Sequence, residues 1–297
     1  MAGVPKPLKT SLKSSGVGFQ RQLARWQQRL PVDEAHWAQL ALLKTLVQRH
    51  LSARYKGSIL GNLWPLMHQI ALLLIYTYVF SIVLGVKLNL NGSPTDNSFT
   101  FGLWLFAGLI PWLAFNNGLM QASTAVISQP NLVKKVVFPL NLLPLVPVLA
   151  SFLESTLGMM VLMVFVAIFH QAVHPTLLLL PLVWLPQLLL TAGLGFGAAG
   201  LTVFIRDIPQ TLTVGLNLWF YATPLIYPVT MIPQPLQSWI FWLNPLAAIG
   251  EMYRDVILIG DVTHWGEWAV ATLISAGVLI GGGWCYHKLK LAFADVL

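Results

Sequence analysis

The sequence predicts an all-α integral membrane protein: six transmembrane helices, an N-terminal amphipathic interface helix, and re-entrant outer helices between spans five and six. Three observations predict it. The 297 residues are 56% hydrophobic and only 9% charged, with 12 Trp, which is more apolar surface than one soluble core can hide. Runs near the ~20 apolar residues that cross about 30 Å of hydrocarbon as helix recur along the chain. The cations collect in alternate gaps between those runs.

Taken in order, residues 1–32 are basic and lack the apolar centre of a secretory signal, so they read as a flexible cytoplasmic tail. The stretch DEAHWAQLALLKTLVQRHL (33–51) has acids in its first turn and cations in its last, and Trp37, Leu40, Leu43, Val47 and Leu51 recur at helical spacing. That describes a helix along the membrane face, either a surface anchor or a docking element. With the turn RYKGSILGNLWP it forms a segment over 33–62, ahead of a transmembrane domain over 63–297.

The spans read as 63–86, 100–127, 139–169, 176–205, 211–229 and 267–288. The third and fourth exceed one straight crossing, and Pro144, Pro147, Pro181 and Pro186 are candidate breaks. Leu236 to Ile249 is too short to span and is interrupted by Asn244-Pro245, which suggests a re-entrant or interfacial helix. Of the 17 Lys and Arg, all but Lys87 and Arg254 precede span one or follow an even-numbered span. Positive-inside bias then places both termini in the cytoplasm. The net charge of +7 is a topology signal, and no nucleic-acid partner is expected.

Searches for chemistry return little. There is no G-x-x-x-x-G-K-S/T phosphate loop, no HExxH, and the seven His lack metal spacing. The single Cys285 excludes an internal disulfide framework. The sequon Asn91-Gly92-Ser93 in an outer loop is a weak motif. Such a chain points to transport, with no catalytic residue, metal or cofactor of its own.

Three features inside the spans invite explanation. Glu154 in LASFLESTLGMM is costly in hydrocarbon unless protonated or paired, so it should face protein or a wet cavity; Ser155 and Thr156 can bond their own helix and leave the acid needing another partner. It supports either hydrogen bonding across helices or an ion- or proton-coupled secondary transporter, the alternative function. Gly193, Gly195, Gly197 and Gly200 form a small-residue face for close helix contact, while Gly281-Gly282-Gly283 should loosen span six. Arg254, between Glu251 and Asp255, suits a local ion pair. In the second inner loop, ISQPNLVKKVVFP (127–139), Pro130 can start a short helix that is either an interfacial turn or a firm docking stub.

Several stretches together carry a resemblance. RYKGSILGNLWP followed by Tyr76-Thr77-Tyr78-Val79-Phe80-Ser81, NLVKKVVFP followed by Leu142-Leu143-Pro144, Arg206-Asp207, Leu243-Asn244-Pro245-Leu246 with Tyr253-Arg254, and the final FADVL occur in order from about residue 49 onward. They resemble the membrane subunit of polysaccharide-exporting ATP-binding-cassette transporters, the group of O-antigen, capsule and teichoic-acid export permeases. The resemblance implies a homodimer in the bacterial inner membrane with two separate ATPase chains, which carry the ATP and Mg, moving a polyprenyl-linked polysaccharide between leaflets. It makes the amphipathic helix at 33–51 and the loop 128–139 the ATPase-contacting elements, the loop through Asn131, Leu132, Lys134, Lys135 and Phe138, with Arg206 and Asp207 in a smaller second contact. A helix-end ion pair explains that dipeptide almost as well.

The turn after the interface helix, ending in Leu60-Gly61, sits beside the lateral lipid entrance in such permeases. Arg54, Tyr55 and Lys56 there can meet the phosphate or pyrophosphate of the lipid carrier, or be inside-rule cations snorkelling to membrane phosphate. A glycan path needs faces on which sugar rings slide, and Tyr76, Phe80, Trp104, Trp112, Trp219, Tyr221 and Tyr227 in spans one, two and five offer them, unless they are packing or belt residues. The outer segment 230–262 resembles the family's periplasmic gate.

Overall fold

The computed structural model describes residues 34–85, 89–90, 93–94, 98–135, 138–169 and 174–297. The tail over 1–32, Lys87, Asp96 and the Asn91-Gly92 part of the sequon lie outside the described residues. The chain divides into two units, Met1–Thr45 and Leu46–Leu297. Helix α1, Glu34–Arg54, begins in the first and ends in the second. In its second half Val47 is buried and Leu46, His50 and Leu51 are partly covered, whereas Leu40 in the first unit stays 54% exposed.

Among the described residues, five helices are long and apolar enough to cross a membrane: Trp64–Val83, Thr100–Thr124, Leu142–Phe169, Pro175–Phe204 and Trp265–Val296. The first combines α2 (Trp64–Tyr76) with a π-helical stretch, Thr77–Val83. Within it the Thr77 hydroxyl donates back to the Leu73 carbonyl at 2.7 Å, and its side chain lies against Gly102, where a Cβ would collide with it. Helix α3 (Ser98–Thr124) is the most buried of the five and packs against both α5 (Leu142–Phe169) and α6 (Leu180–Phe204). A six-residue helix, α4 (Pro130–Lys135), joins α3 to α5, starting at Pro130 as expected.

The prolines of the third and fourth spans do not interrupt them. Pro144 and Pro181 stand in the first turns of α5 and α6, where the missing N–H has no intrahelical acceptor to lose. Pro147 and Pro186 lie further inside helices that continue through them.

The expected fifth span, 211–229, is helical only over α7, Ile208–Ala222. Its 15 residues reach roughly 22 Å at about 1.5 Å each, against about 30 Å of hydrocarbon. The chain turns extended at Thr223, ahead of Pro224. Beyond it come two ten-residue helices, α8 (Gln234–Leu243) and α9 (Pro245–Arg254), split at Asn244. Every residue of α9 is buried, because it inserts among α3, α6 and α10 (Trp265–Leu289). A π-helical stretch, Asp255–Ile259, extends α9 to Gly260, whose φ of 78° ends it. The chain closes with α11, Phe293–Val296. A two-residue antiparallel pair, Asn89–Leu90 with Ser93–Pro94, is the described strand structure.

The glycine face of α6 does what its spacing predicts. A Cβ on Gly193 would stand 2.6 Å from the backbone of Leu279 in α10, and one on Gly200 would press on Leu289 and Tyr286. The triple glycine of α10, expected to loosen it, instead sits in a continuous helix, and Gly282 is the point of closest approach. A Cβ there would land on the Gly193 carbonyl oxygen, while one on Gly281 meets nothing within 4 Å. In lipid, where apolar contact has no water to escape, such close backbone packing holds helices together. Gly282→Ala should therefore lower stability by about 1–3 kcal/mol while Gly281→Ala leaves it unchanged or raises it slightly, as read by thermal unfolding of the purified protein in detergent.

Candidate functional site

The turn RYKGSILGNLWP begins where α1 ends. Gly57 (φ 84°) and Gly61 (φ 49°) take the left-handed conformation with open space around them, so glycine is required there by the backbone and not by crowding. Between them Ile59 is fully exposed and Leu60 is 39% exposed. The Trp64 indole N–H donates to the Ser58 hydroxyl at 2.6 Å and ties the turn to the start of α2.

Arg54 and Tyr55 turn inward from this point. The Arg54 guanidinium donates to Glu154 Oε2 at 2.7 Å and the Tyr55 hydroxyl donates to Glu154 Oε1 at 3.0 Å. Burial, with the Glu154 charge and hydrogen bond added to it, pushes the Tyr55 phenol up to about 12, so it stays a donor. Glu154 thus has the cationic partner that its own helix could not supply. Ser155 and Thr156 do bond their own helix, to the carbonyls of Phe152 and Leu153. The acid lines a cavity of about 380 Å³ that Arg54, Gln69 and Asn117 also border. Lys56 is exposed.

The second group of expected residues surrounds α4. Asn131 and Lys134 are exposed; Leu132 and Phe138 pack against a buried cluster of Val126, Val203, Tyr286 and Phe293. The side chain of Lys135 lies outside the described residues. The Tyr286 hydroxyl donates to the Leu140 carbonyl at 2.8 Å, and the Tyr286 and Phe293 rings meet edge-on at 5.4 Å. The stub α4 is thereby fixed to the end of α10 and to α11. Arg206 and Asp207 are exposed and, among the described residues, form no ion pair with each other; the Asp207 carbonyl accepts from Thr211 at the start of α7.

The aromatic residues separate into different roles. Tyr76, Phe80, Phe101 and Trp104 form one run of ring contacts at 5.5–6.2 Å, and Trp112 meets Phe220 at 5.3 Å. Trp104 and Trp112 are 5% and 6% exposed, so within this chain they are packing residues. The Trp219 N–H is committed to Asn244 Oδ1 at 3.0 Å, and Tyr227 bonds the Tyr221 carbonyl. Tyr221, 66% exposed, is the most accessible of the set.

A third cluster is legible in the sequence only as a local ion pair of Arg254 with a flanking acid. Arg254 is 1% exposed; its guanidinium lies 3.5 Å from the Trp104 ring centre and donates to Glu251 and to the carbonyls of Trp104, Pro224 and Leu225. Gly108 opposite leaves room for it: a Cβ there would come within 2.5 Å of the guanidinium. Asn244 accepts from Leu246 N as N-cap of α9 and donates to Thr223 Oγ1, binding the break after α7 to the break before α9. The Tyr253 hydroxyl donates to Gln187 Oε1 at 2.6 Å, and Gln187 Nε2 donates to the Pro111 carbonyl at 2.9 Å, a relay across α9, α6 and α3. The expected local ion pair of Arg254 is made with Glu251, and the other flanking acid, Asp255, is taken by His264, Nδ1 to Oδ2 at 2.7 Å, and by Thr263. Among the described residues, no group of three or more His, Cys, Asp or Glu has metal-holding geometry.

Long apolar helices tied by a buried charged clamp, with an exposed inter-span stub, make this a multi-pass membrane protein. The chain belongs to the ABC-2 type transporter family, whose model matches residues 41–258. Two O-antigen export system permease proteins RfbA of Klebsiella pneumoniae are 30% and 29% identical to it over 261 and 260 residues, each covering 86% of this chain and 95% of the relative. A third RfbA, of Myxococcus xanthus, is 31% identical over 216 residues, 72% of this chain and 79% of its own length. It is a multi-pass membrane protein and a transport subunit, not an enzyme.

Two outcomes follow from the Arg254 cluster. Arg254→Gln should cost about 3–5 kcal/mol, since it strands the Glu251 carboxylate and leaves three buried carbonyls short of donors; the readout is loss of folded, monodisperse protein and a lowered Tm. His264 has its pKa raised, chiefly by the hydrogen bond to Asp255 and then by the nearby charges of Asp255, Glu251 and Glu267 against the opposing effect of burial. A raised value means that its contribution to stability is complete below the unfolded value of about 6.5 and is lost as pH rises through the higher folded value. Tm measured across that window should fall for the native chain, and the fall should be absent in His264→Gln.

Proposed function

We propose that this chain is the transmembrane subunit of an ATP-driven exporter that moves lipid-linked polysaccharide, O-antigen on a polyprenyl carrier, across the bacterial inner membrane. The observation that carries the reading is similarity along nearly the full length of relatives named as O-antigen export permeases. In this reading two copies pair with two ATPase subunits and both termini face the cytoplasm. The exposed stub α4, with Asn131 and Lys134 outward and Leu132 and Phe138 inward, receives the ATPase stroke and passes it to α3, α5 and α10 as stiff rods. Helix α7, continued past Thr223, completes a sixth crossing, and α8 and α9 are the re-entrant cap over the outer exit. Arg54, Tyr55 and Lys56, with Leu60 and Gly61, form the headgroup entrance.

Glu154 was the support for a gradient-driven carrier. With both of its oxygens engaged by Arg54 and Tyr55, it is better suited to holding α5 to the entrance turn than to releasing protons. The test is reconstitution. With its neighbouring ATPase, the chain should couple hydrolysis to translocation of lipid-linked glycan, and hydrolysis should rise when that lipid is added. Gradient-driven solute flux by the chain alone, without nucleotide, overturns the reading.

A further inference from the structure

Helix α7 is thinly packed. Of its 15 residues only Leu216 is buried, and it rests on α3 and on α6, to which the turn 205–207 joins it. Between α7 and the closely packed pair of α6 and α10 runs a groove of about 500 Å³, bordered by Leu194 and Gly197 of α6, Leu212 and Gly215 of α7, and Val278 and Gly282 of α10.

We propose that this groove seats one acyl chain of a membrane glycerophospholipid, which fills the wedge between α7 and the helices behind it. The proposal stands on the membrane-spanning fold and does not depend on the export reading. Length is the first argument. The lining residues of α7 run from Ile208 to Trp219, which is roughly 16 Å at about 1.5 Å per residue. They start at the turn that ends the fourth span, so the groove covers about the 15 Å that one leaflet contributes to the hydrocarbon. Spread over that length, about 500 Å³ leaves a cross-section of roughly 30 Å², too narrow for a second helix about 10 Å across and suited to a single chain.

The chemistry of the lining selects hydrocarbon over a polar ligand. Thr211 and Trp219 are the only lining side chains with a polar atom. Both spend their proton inside the chain: the Thr211 hydroxyl donates to the Asp207 carbonyl at 3.1 Å and the Trp219 N–H donates to Asn244 Oδ1 at 3.0 Å. A sugar or a phosphate in the groove would find no donor for its oxygens, and ordered water needs polar partners that are missing here. The glycines are a separate sign. Gly193 and Gly282 are accounted for by the contact between α6 and α10, but Gly215 stands in the middle of α7, where glycine weakens a helix, and a Cβ on it would meet nothing within 4 Å. A Cβ on Gly197, across the groove, would meet only the Gly282 Cα at 3.9 Å. A void along a helix forfeits the dispersion contacts that hold helices together in lipid, and an acyl chain lying over Gly197 and Gly215 restores them.

The experiment places the full chain in nanodiscs containing phosphatidylethanolamine with a diazirine on one acyl chain, irradiates it, and maps the adducts by peptide mass spectrometry. Labelling within 208–219 should exceed that on the lipid-facing side of α5, around the exposed Met160 and Val164, by at least ~10-fold, the mark of a seat and not of passing lipid. Gly215→Leu puts a side chain into the open space and should erase the excess while the chain stays folded; Gly197→Leu should do the same from the opposite wall. Gly277→Leu, with equal room but outside the groove, should leave the excess intact. Equal labelling of the groove and of α5 overturns the proposal, and so does an excess that both groove variants retain. Displacement of the label by equimolar polyprenyl phosphate overturns it in favour of the substrate's own chain. Thiol cross-linking of Gly215→Cys to a second copy, in a Cys285→Ala background, overturns it in favour of a seam between subunits.

Discussion

A charge enclosed by apolar helices must find its counter-charge and its hydrogen bonds within the protein, because hydrocarbon supplies neither. Arg254 meets that demand with Glu251, three carbonyls and the Trp104 ring, and those partners come from α3, from the turn after α7 and from α9 itself. The arginine is therefore the fastening of α3, α9 and the turn after α7. Gly108 stays small to admit it, Asn244 caps the helix that carries it, and the neighbouring Tyr253 extends the same fastening to α6 through Gln187. A fully buried helix of ten residues between two backbone breaks is tolerable only with this degree of polar satisfaction.

The Arg54–Glu154 pair applies the same rule at the start of the transmembrane region, with a different result. Arg254 is sealed, whereas Arg54 is 40% exposed at the side chain and borders open volume on two sides. A sealed pair fixes geometry. A pair at the wall of a polar cavity fixes geometry and leaves part of the cation accessible. The stub α4 is held by a third device, aromatic packing: Tyr286 and Phe293 lie beneath Leu132 and Phe138, so a load on the stub reaches the last helix without passing through flexible chain.

The hydropathy runs, the clustered cations between them, the proline at the start of α4 and the glycine face of α6 are local properties of consecutive residues, and each could be read without coordinates. Composition and periodicity report whether a segment prefers lipid and which face it turns inward. Pairings between distant positions carry no such local mark. Glu154 read as a lone acid because its partner is Arg54, 100 residues earlier, and the sequence offered Arg254 a local ion pair without showing that Glu251 takes it while His264 holds Asp255. Trp104 and Trp112 looked equivalent to Tyr221 along their helices, yet neighbouring spans bury the first two and leave the third exposed. The prolines of α5 and α6 read as breaks because proline's cost depends on which carbonyls it strands.

By itself, the sequence determined that this is a helical membrane protein, where its long spans run and which loops carry charge, since those follow from transfer of each segment into lipid. Tertiary structure decided which charges meet, which glycines are contacts, where α7 stops and which polar groups share a cavity. Those outcomes depend on side chains brought together by packing, and packing is a property of helices in one another's presence.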